Sequence, residues 1–268
     1  MLKKSKKIIL TILSLYLIIL TLYIFTVINK YSGLNKQGNI SINLFFSIQD
    51  SGADDNIIII IVRMLLFTFL GSGLFIYLKN SSFVHQRTGY LEFLQKGMIN
   101  SFLGGAVISI LTNLYEMLLI NWFYFPFIYK SHDYEMLSGM RPGYFTTNDL
   151  TEILLFIILA AIGWGIFSIL VFSVGLLVRK NALYIAVGPI LGLILILLPI
   201  LGNMNNIVWR TFSFSWFLYT LVAPGQTTFI GQMPPINSLV AFLLAGVIYL
   251  AVALLLITLW CRKKQHEG

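Results

Sequence analysis

Long apolar runs alternate with short polar segments along the whole of this chain. A hydrocarbon core of about 30 Å is crossed by a helix of about 20 apolar residues. Six runs meet that length, at approximately residues 8–28, 57–78, 101–125, 150–178, 182–201 and 238–260. The pattern predicts an all-α polytopic membrane protein in which residues 1–268 form a single domain of six transmembrane helices.

Composition supports this class. The 268 residues are 58% hydrophobic and only 10% charged, whereas soluble domains contain roughly 25% charged residues. The net charge of +8 does not indicate a nucleic-acid partner, because the basic residues stand at the ends of apolar runs. Cys261 is the only cysteine in the sequence, so no internal disulfide is possible.

The basic residues also predict orientation. With both termini cytoplasmic, twelve Lys and Arg residues fall on the inner side and five on the outer side. An excess of Lys and Arg in short cytoplasmic loops is the usual determinant of topology. We therefore expect the N- and C-termini inside.

The polar segment 79–100 is the longest one predicted on the inner side. Apolar residues recur in it at helical spacing, which predicts an amphipathic helix between spans two and three. Those residues are Phe83, Tyr90, Leu91, Leu94 and Met98. Such a helix either lies on the membrane surface or docks a cytoplasmic partner.

Three segments are predicted on the outer side. Residues 31–56 and 127–149 read as loops, the second ending in a helix N-cap at Thr147 or Asn148. Residues 208–222 are aromatic and apolar but only about 15 residues long, which is too short to span. They predict an interfacial or re-entrant helix before span six.

Motifs for catalysis are absent from the sequence. It contains no G-x-x-x-x-G-K followed by Ser or Thr, no H-E-x-x-H and no G-x-S-x-G. Its three histidines fall on both predicted sides of the membrane, so no shared metal site is expected. We expect no catalytic, cofactor-binding or metal-binding residues in this chain.

Two charged residues fall inside predicted spans, Arg63 and Glu116. At 1.5 Å per residue both lie roughly 10–14 Å below the outer boundary. Because isolated charges are costly at that depth, we predict that they form an ion pair. The alternative is that Arg63 reaches outward and that Glu116 is protonated or faces water.

The order of these elements resembles that in the permease subunits of type-2 ABC exporters. The resemblance rests on six spans, the segment between spans two and three, the very short turn at Arg179–Lys180 and the aromatic segment before span six. Residues 83–97 are similar to the segment that carries the coupling helix in that family.

The resemblance implies a chain that works with two ATPase subunits and a second permease, a copy or a paralogue, in a bacterial plasma membrane. ATP and Mg²⁺ would then bind the ATPase partner. Its implied ATPase-docking residues are Phe83, Arg87, Tyr90, Leu91 and Leu94, and its implied substrate is a peptide, lipid or drug-like amphipathic molecule. The runner-up is a non-transporting accessory or immunity protein that acts by binding alone; an intramembrane enzyme is less favoured because its motifs are missing.

Overall fold

The structure, a computed structural model, describes residues 2–31, 40–49, 90–132, 145–178, 181–200, 206–226 and 236–266. Within those ranges the chain is helical, apart from short connecting segments. The helices are α1 (Leu2–Tyr31), α2 (Ile40–Gln49), α3 (Tyr90–Phe123), α4 (Asp149–Leu177), α5 (Asn181–Ile200), α6 (Ile207–Trp216), α7 (Leu218–Val222) and α8 (Ser238–His266). The ends of the bundle are called outer and inner here, after the predicted topology.

Four of these helices, α1, α3, α4 and α8, are long and apolar enough to cross a membrane. The prediction of an all-helical protein whose helices reach membrane-spanning length is therefore confirmed for the described residues. The helix α5 coincides with the predicted fifth span, while the predicted second span, 57–78, lies outside the described residues. The number of six spans and the orientation of the termini stay predictions.

The helix α4 lies at the centre of the bundle. Its most apolar stretch is 67% buried inside the protein, against 22% for α1. It packs closely on α3 because Gly105 of α3 faces the Ser168 hydroxyl and the Trp164 carbonyl, while Gly165 of α4 faces the ring of Phe102. A Cβ atom at either glycine would clash, so the missing side chains set how closely the two helices approach.

Three apolar clusters hold the helices together. Near the outer end, the rings of Phe45 and Phe46 of α2 meet Phe156 of α4 edge to face. A middle cluster joins α4, α7 and α8. At the inner end a third cluster contains Phe93, Leu94, Phe172, Ile257 and Trp260.

The first outer segment differs from its prediction. Residues 31–56 were expected to form a loop, but residues 40–49 form the helix α2. Ile42, Phe45 and Phe46 are buried against α1, α3 and α4. Burial of these side chains stabilises the helix. The sequence did not predict it, because the polar residues on either side made the segment resemble a loop.

The amphipathic segment also differs. Over its described part, residues 90–100 are the first turns of α3 rather than a separate helix. No proline interrupts the chain between Tyr90 and Phe123, and Phe93 and Leu94 are held in the inner cluster. The helix therefore continues from the predicted docking segment into the third span without a break.

Candidate functional site

The predicted docking residues are only partly within the described chain. Phe83 and Arg87 lie outside it, whereas Tyr90 and Leu91 belong to the first turn of α3. Leu94 is buried in the inner cluster, where it packs with Phe172 and Trp260. Docking stays a prediction, and the structure adds that Leu94 contributes to the chain's own packing.

The opposite face of the same turns is exposed and polar. Glu92, Gln95 and Lys96 are accessible there, and Lys96 forms an ion pair with Glu92 one turn away. Exposed pairs of this kind contribute little to stability. Among the described residues of these turns, this face is exposed whereas Leu94 is buried.

Glu116 is fully buried in the outer half of α3. The side-chain amide of Gln49 in α2 donates a hydrogen bond to Glu116 Oε2, with 2.6 Å between Nε2 and the oxygen. Its predicted partner, Arg63, lies outside the described residues, so the ion pair stays a prediction. Gln49 itself was missed, because a glutamine in a presumed loop carries no sequence signal for such a contact.

Polar residues continue from Glu116 along one face of α3. Thr112 and Asn113 lie three and four residues after Ser109 and four and three residues before Glu116, and all four residues are buried. We call these four residues the polar seam. The Thr112 hydroxyl lies 3.1 Å from the Tyr16 hydroxyl of α1, so the seam fastens α1 as well as α2 to α3.

A buried carboxylate in a membrane-spanning helix usually marks a functional position. In the polar seam, Glu116 accepts a hydrogen bond while its neighbours bond to other helices or to their own backbone. This arrangement holds three helices in register around an ionisable group. Among the described residues, no three His, Cys, Asp or Glu side chains stand close enough to bind a metal ion.

Two further carboxylates lie at the outer beginning of α4. Asp149 Oδ2 accepts a hydrogen bond from the backbone N–H of Lys130 at 3.0 Å and lies 3.0 Å from His132 Nε2. Glu152 Oε2 accepts bonds from the backbone N–H groups of Phe145 and Thr146, at 2.9 and 2.8 Å. These contacts tie the described ends of the second outer segment to α4.

The expected N-cap of α4 is confirmed. The side chain of Asn148 accepts hydrogen bonds from the N–H groups of Leu150 and Thr151. Asp149 and Glu152 lie in the first turn, where negative charge is favoured by the helix dipole. The cap and the carboxylates thus fix the outer start of the central helix.

The aromatic segment before the last span forms two short helices, α6 and α7, separated at Phe217. We call residues 207–222 the re-entrant pair, after the predicted interfacial or re-entrant helix. The Tyr249 hydroxyl of α8 donates a hydrogen bond to the Trp216 carbonyl at 2.9 Å, and Leu221 rests on Gly163 of α4.

The depth of the re-entrant pair follows from these contacts. At 1.5 Å per residue, Tyr249 lies about 16 Å below the start of α8 and Gly163 about 21 Å below the start of α4. The chain then turns at Gly225, whose φ of 78° is one that glycine adopts readily. Irregular backbone at such depth is tolerated in a membrane because protein covers it, and Phe217 through Gln226 are all buried.

Several buried polar atoms of this segment have no hydrogen-bond partner among the described residues. They are Ser213 Oγ, Trp216 Nε1, Thr220 Oγ1 and Gln226 Nε2. Buried polar atoms are usually paired, and leaving one unpaired costs about 1–3 kcal/mol.

One signal for the re-entrant pair was present in the sequence and was not used. Gly163 and Gly165 flank Trp164 in the middle of span four, two residues after the pair Ala160 and Ala161. Small residues in a membrane helix often mark close packing of another backbone, and Gly163 does receive Leu221.

Comparison with known proteins gives no matching family model, no matching curated protein and no matching solved structure.

Proposed function

We propose that this chain is the permease subunit of an ATP-driven exporter of the type-2 ABC kind. The observation that carries the proposal is the re-entrant pair, two short helices that dip between α5 and α8 and are buried against the middle of α4. This element stands in the position expected from the resemblance, directly before the last span. A substrate of amphipathic character, such as a peptide, lipid or drug-like molecule, fits a route lined by apolar helices.

In this proposal the chain itself is not an enzyme. Separate ATPase subunits bind ATP and Mg²⁺, and a second permease, either a copy or a paralogue, completes the route. The protein resides in the lipid bilayer, in a bacterial plasma membrane, and requires no nucleic acid or cofactor of its own.

The inner end of α3 supplies the contact with the ATPase. Tyr90 and Leu91 begin the same helix that carries Glu116 in its outer half. A displacement of the docking segment is therefore passed directly to the polar seam. This continuity supports the proposal, because a permease must link events at one face of the membrane to changes near the other.

Affinity purification from native membranes in mild detergent tests the proposal. We expect an ATPase subunit with a phosphate-binding loop to co-purify, and its ATP hydrolysis to change when the permease is present. A membrane protein of similar abundance, purified in parallel, controls for adventitious recovery. Purification without any nucleotide-binding subunit contradicts the proposal and favours the non-transporting accessory or immunity protein.

A further inference from the structure

A stripe of exposed apolar side chains runs along one face of α3, and we call it the α3 stripe. Its members are 47% to 75% exposed and recur every three or four residues, which places them on one side of the helix. They are Ile99, Leu103, Val107, Leu111, Leu114, Leu118 and Trp122. From Ile99 to Trp122 the stripe is about 35 Å long, close to the hydrocarbon thickness of a bilayer, about 30 Å.

No charged side chain interrupts the α3 stripe. Between Lys96 and Lys130 the sequence contains one charged residue, Glu116, and Glu116 is fully buried. Lys96 is exposed one turn before the stripe begins, and Trp122 closes the stripe at its outer end. An uncharged face of this length, with a basic residue at one end and a tryptophan at the other, matches a helix surface in contact with lipid.

A second exposed stripe begins on α4 at the same end of the bundle. Leu150, Leu154 and Ile158 are exposed and stand four residues apart. The residue before them, Asp149, is joined to Lys130 by two hydrogen bonds of 3.0 Å, one from each backbone N–H. Residues 124–130 therefore connect the outer end of one apolar stripe with the outer start of the other.

This connection is aromatic and exposed. Residues 122–129 read W-F-Y-F-P-F-I-Y, and we call them the aromatic strip. Trp122 is 75% exposed, the rings of Phe127 and Tyr129 stack with their centroids 6.3 Å apart, and Tyr129 and Ile128 are exposed as well. Tryptophan and tyrosine are enriched where a membrane meets water, because each joins an apolar ring to a polar N–H or O–H group.

The backbone of the aromatic strip is held in place although many of its side chains are exposed. The Phe127 N–H donates a hydrogen bond to Asn121 Oδ1 at 3.1 Å, and the Phe125 carbonyl accepts one from the Ser41 hydroxyl of α2 at 2.6 Å. At its end, the Lys130 N–H is bound by Asp149 of α4. Three helices thus fix the course of a segment whose rings remain accessible.

We propose that the aromatic strip lies in the headgroup region of the lipid bilayer and anchors the outer ends of α3 and α4 there. The bilayer is the partner because the strip is not an isolated patch. It stands where two uncharged apolar stripes end, and the stripe below it has the length of a hydrocarbon core. The strip therefore marks the level at which the membrane surface crosses the protein, whether or not the chain transports a substrate.

Site-directed spin labelling of the full-length chain in lipid bilayers tests this proposal. Cys261→Ser removes the only cysteine. Tyr129→Cys then carries a nitroxide on the strip, and Leu111→Cys carries one in the middle of the α3 stripe. Collision rates with oxygen, which concentrates in the bilayer, and with a water-soluble nickel chelate give the depth of each label. We expect the label at position 129 in the headgroup region, about 15 Å shallower than the label at position 111.

Three other results would overturn the proposal. A label at position 129 that meets the nickel chelate as freely as a label in water would place the strip clear of the bilayer. Equal depths at positions 129 and 111 would place the strip within the hydrocarbon. Shielding of position 129 from both reagents would show that protein, such as a second copy of the chain, covers the strip. Size-exclusion chromatography verifies folding, and Ile128→Cys, at an exposed neighbouring position, replaces Tyr129→Cys if that variant does not fold.

Discussion

The carbonyl group of Leu221 rests on Gly163, in the space that a Cβ atom on Gly163 would occupy. The clash would be with backbone, which has no alternative rotamer to relieve it. Gly163 lies midway along the central helix, and Leu221 belongs to α7 of the re-entrant pair. The absence of a side chain at this one position is what admits α7 to the middle of the bundle.

Gly163→Ala should therefore displace α7 and lower the free energy of unfolding by about 1–3 kcal/mol, the usual range for overpacking. Thermal unfolding in detergent, followed by size-exclusion chromatography, measures the change. Gly246→Ala is the matched control, because its added Cβ would lie 3.4 Å from Ile166 Cδ1, a flexible side-chain end. Equal stability of the two variants contradicts the close contact.

Gln49→Met should destabilise the packing of α2. It keeps the side-chain volume but removes the donor to Glu116, and a hydrogen bond to a charged group contributes about 1.5–3 kcal/mol. Protection of α2 in hydrogen exchange is the measurement. Ser47→Ala serves as the control, since the Ser47 hydroxyl bonds only within α2, to the Asn43 carbonyl at 2.8 Å. Similar exchange rates in both variants would mean that the amide does not hold α2.

A charge exchange tests the predicted ion pair between Arg63 and Glu116. Arg63→Glu and Glu116→Arg should each lower the amount of folded protein in the membrane, and the double exchange should recover part of it. Glu116 is already known to be buried beside Gln49, so Gln49 remains unchanged throughout. Additive losses in the double variant would show that the two charges do not meet.

Leu91 and Leu94 should respond differently to the same substitution. Under the proposed function, Leu91→Asp is expected to insert and fold but to uncouple transport from ATP hydrolysis, because it alters the predicted docking segment. Leu94→Asp should prevent stable folding, since it buries a charge in the inner cluster. Fluorescence-detected chromatography separates the effects on folding, and transport assays in vesicles measure coupling. Unchanged transport in Leu91→Asp would exclude that residue from docking.

Thr220→Val should leave the stability unchanged or raise it by about 1 kcal/mol. The Thr220 hydroxyl is buried without a partner among the described residues, so removing it relieves an unpaired polar group. Thr112→Val is the matched comparison and should be destabilising, because it breaks the contact with Tyr16. Calorimetric or thermal-shift unfolding shows whether each variant is more or less stable than the unmodified protein. A loss of stability in Thr220→Val would indicate that the Thr220 hydroxyl has a hydrogen-bond partner outside the described residues.

The transmembrane helices were predictable because each places an unbroken apolar run in the sequence, and a span needs no tertiary partner to be recognised. The N-cap at Asn148 was predictable for the same local reason, since its bonds reach only two and three residues along the chain. The position of the re-entrant pair could also be predicted, because it is an apolar run too short to cross a membrane. Its depth in the bundle could not be predicted, because that depth depends on contacts with Gly163 and Tyr249 of other helices.

The errors arose where tertiary contacts decide the structure. The helix α2 was read as a loop because its polar neighbours dominate the segment, although Ile42, Phe45 and Phe46 give it a buried face. The contact of Gln49 with Glu116 spans 67 residues of sequence and leaves no local pattern. The docking role of Leu94 stays a prediction, and its burial in the inner cluster was not foreseen because amphipathicity does not distinguish a face that meets a partner from one that meets the chain's own helices.

The unbroken course of α3 has a mechanical consequence. At 1.5 Å per residue its 34 residues form a rod of about 51 Å, and its close approach to α4 at Gly105 lies about 22 Å from Tyr90 and about 16 Å from Glu116. A rod that pivots at Gly105 acts as a lever, so a tilt of about 10° would move Tyr90 by about 4 Å and Glu116 by about 3 Å in the opposite direction. Under such a tilt, a push at the inner end would become a pull on Gln49 and α2 at the outer end, with about three quarters of the amplitude.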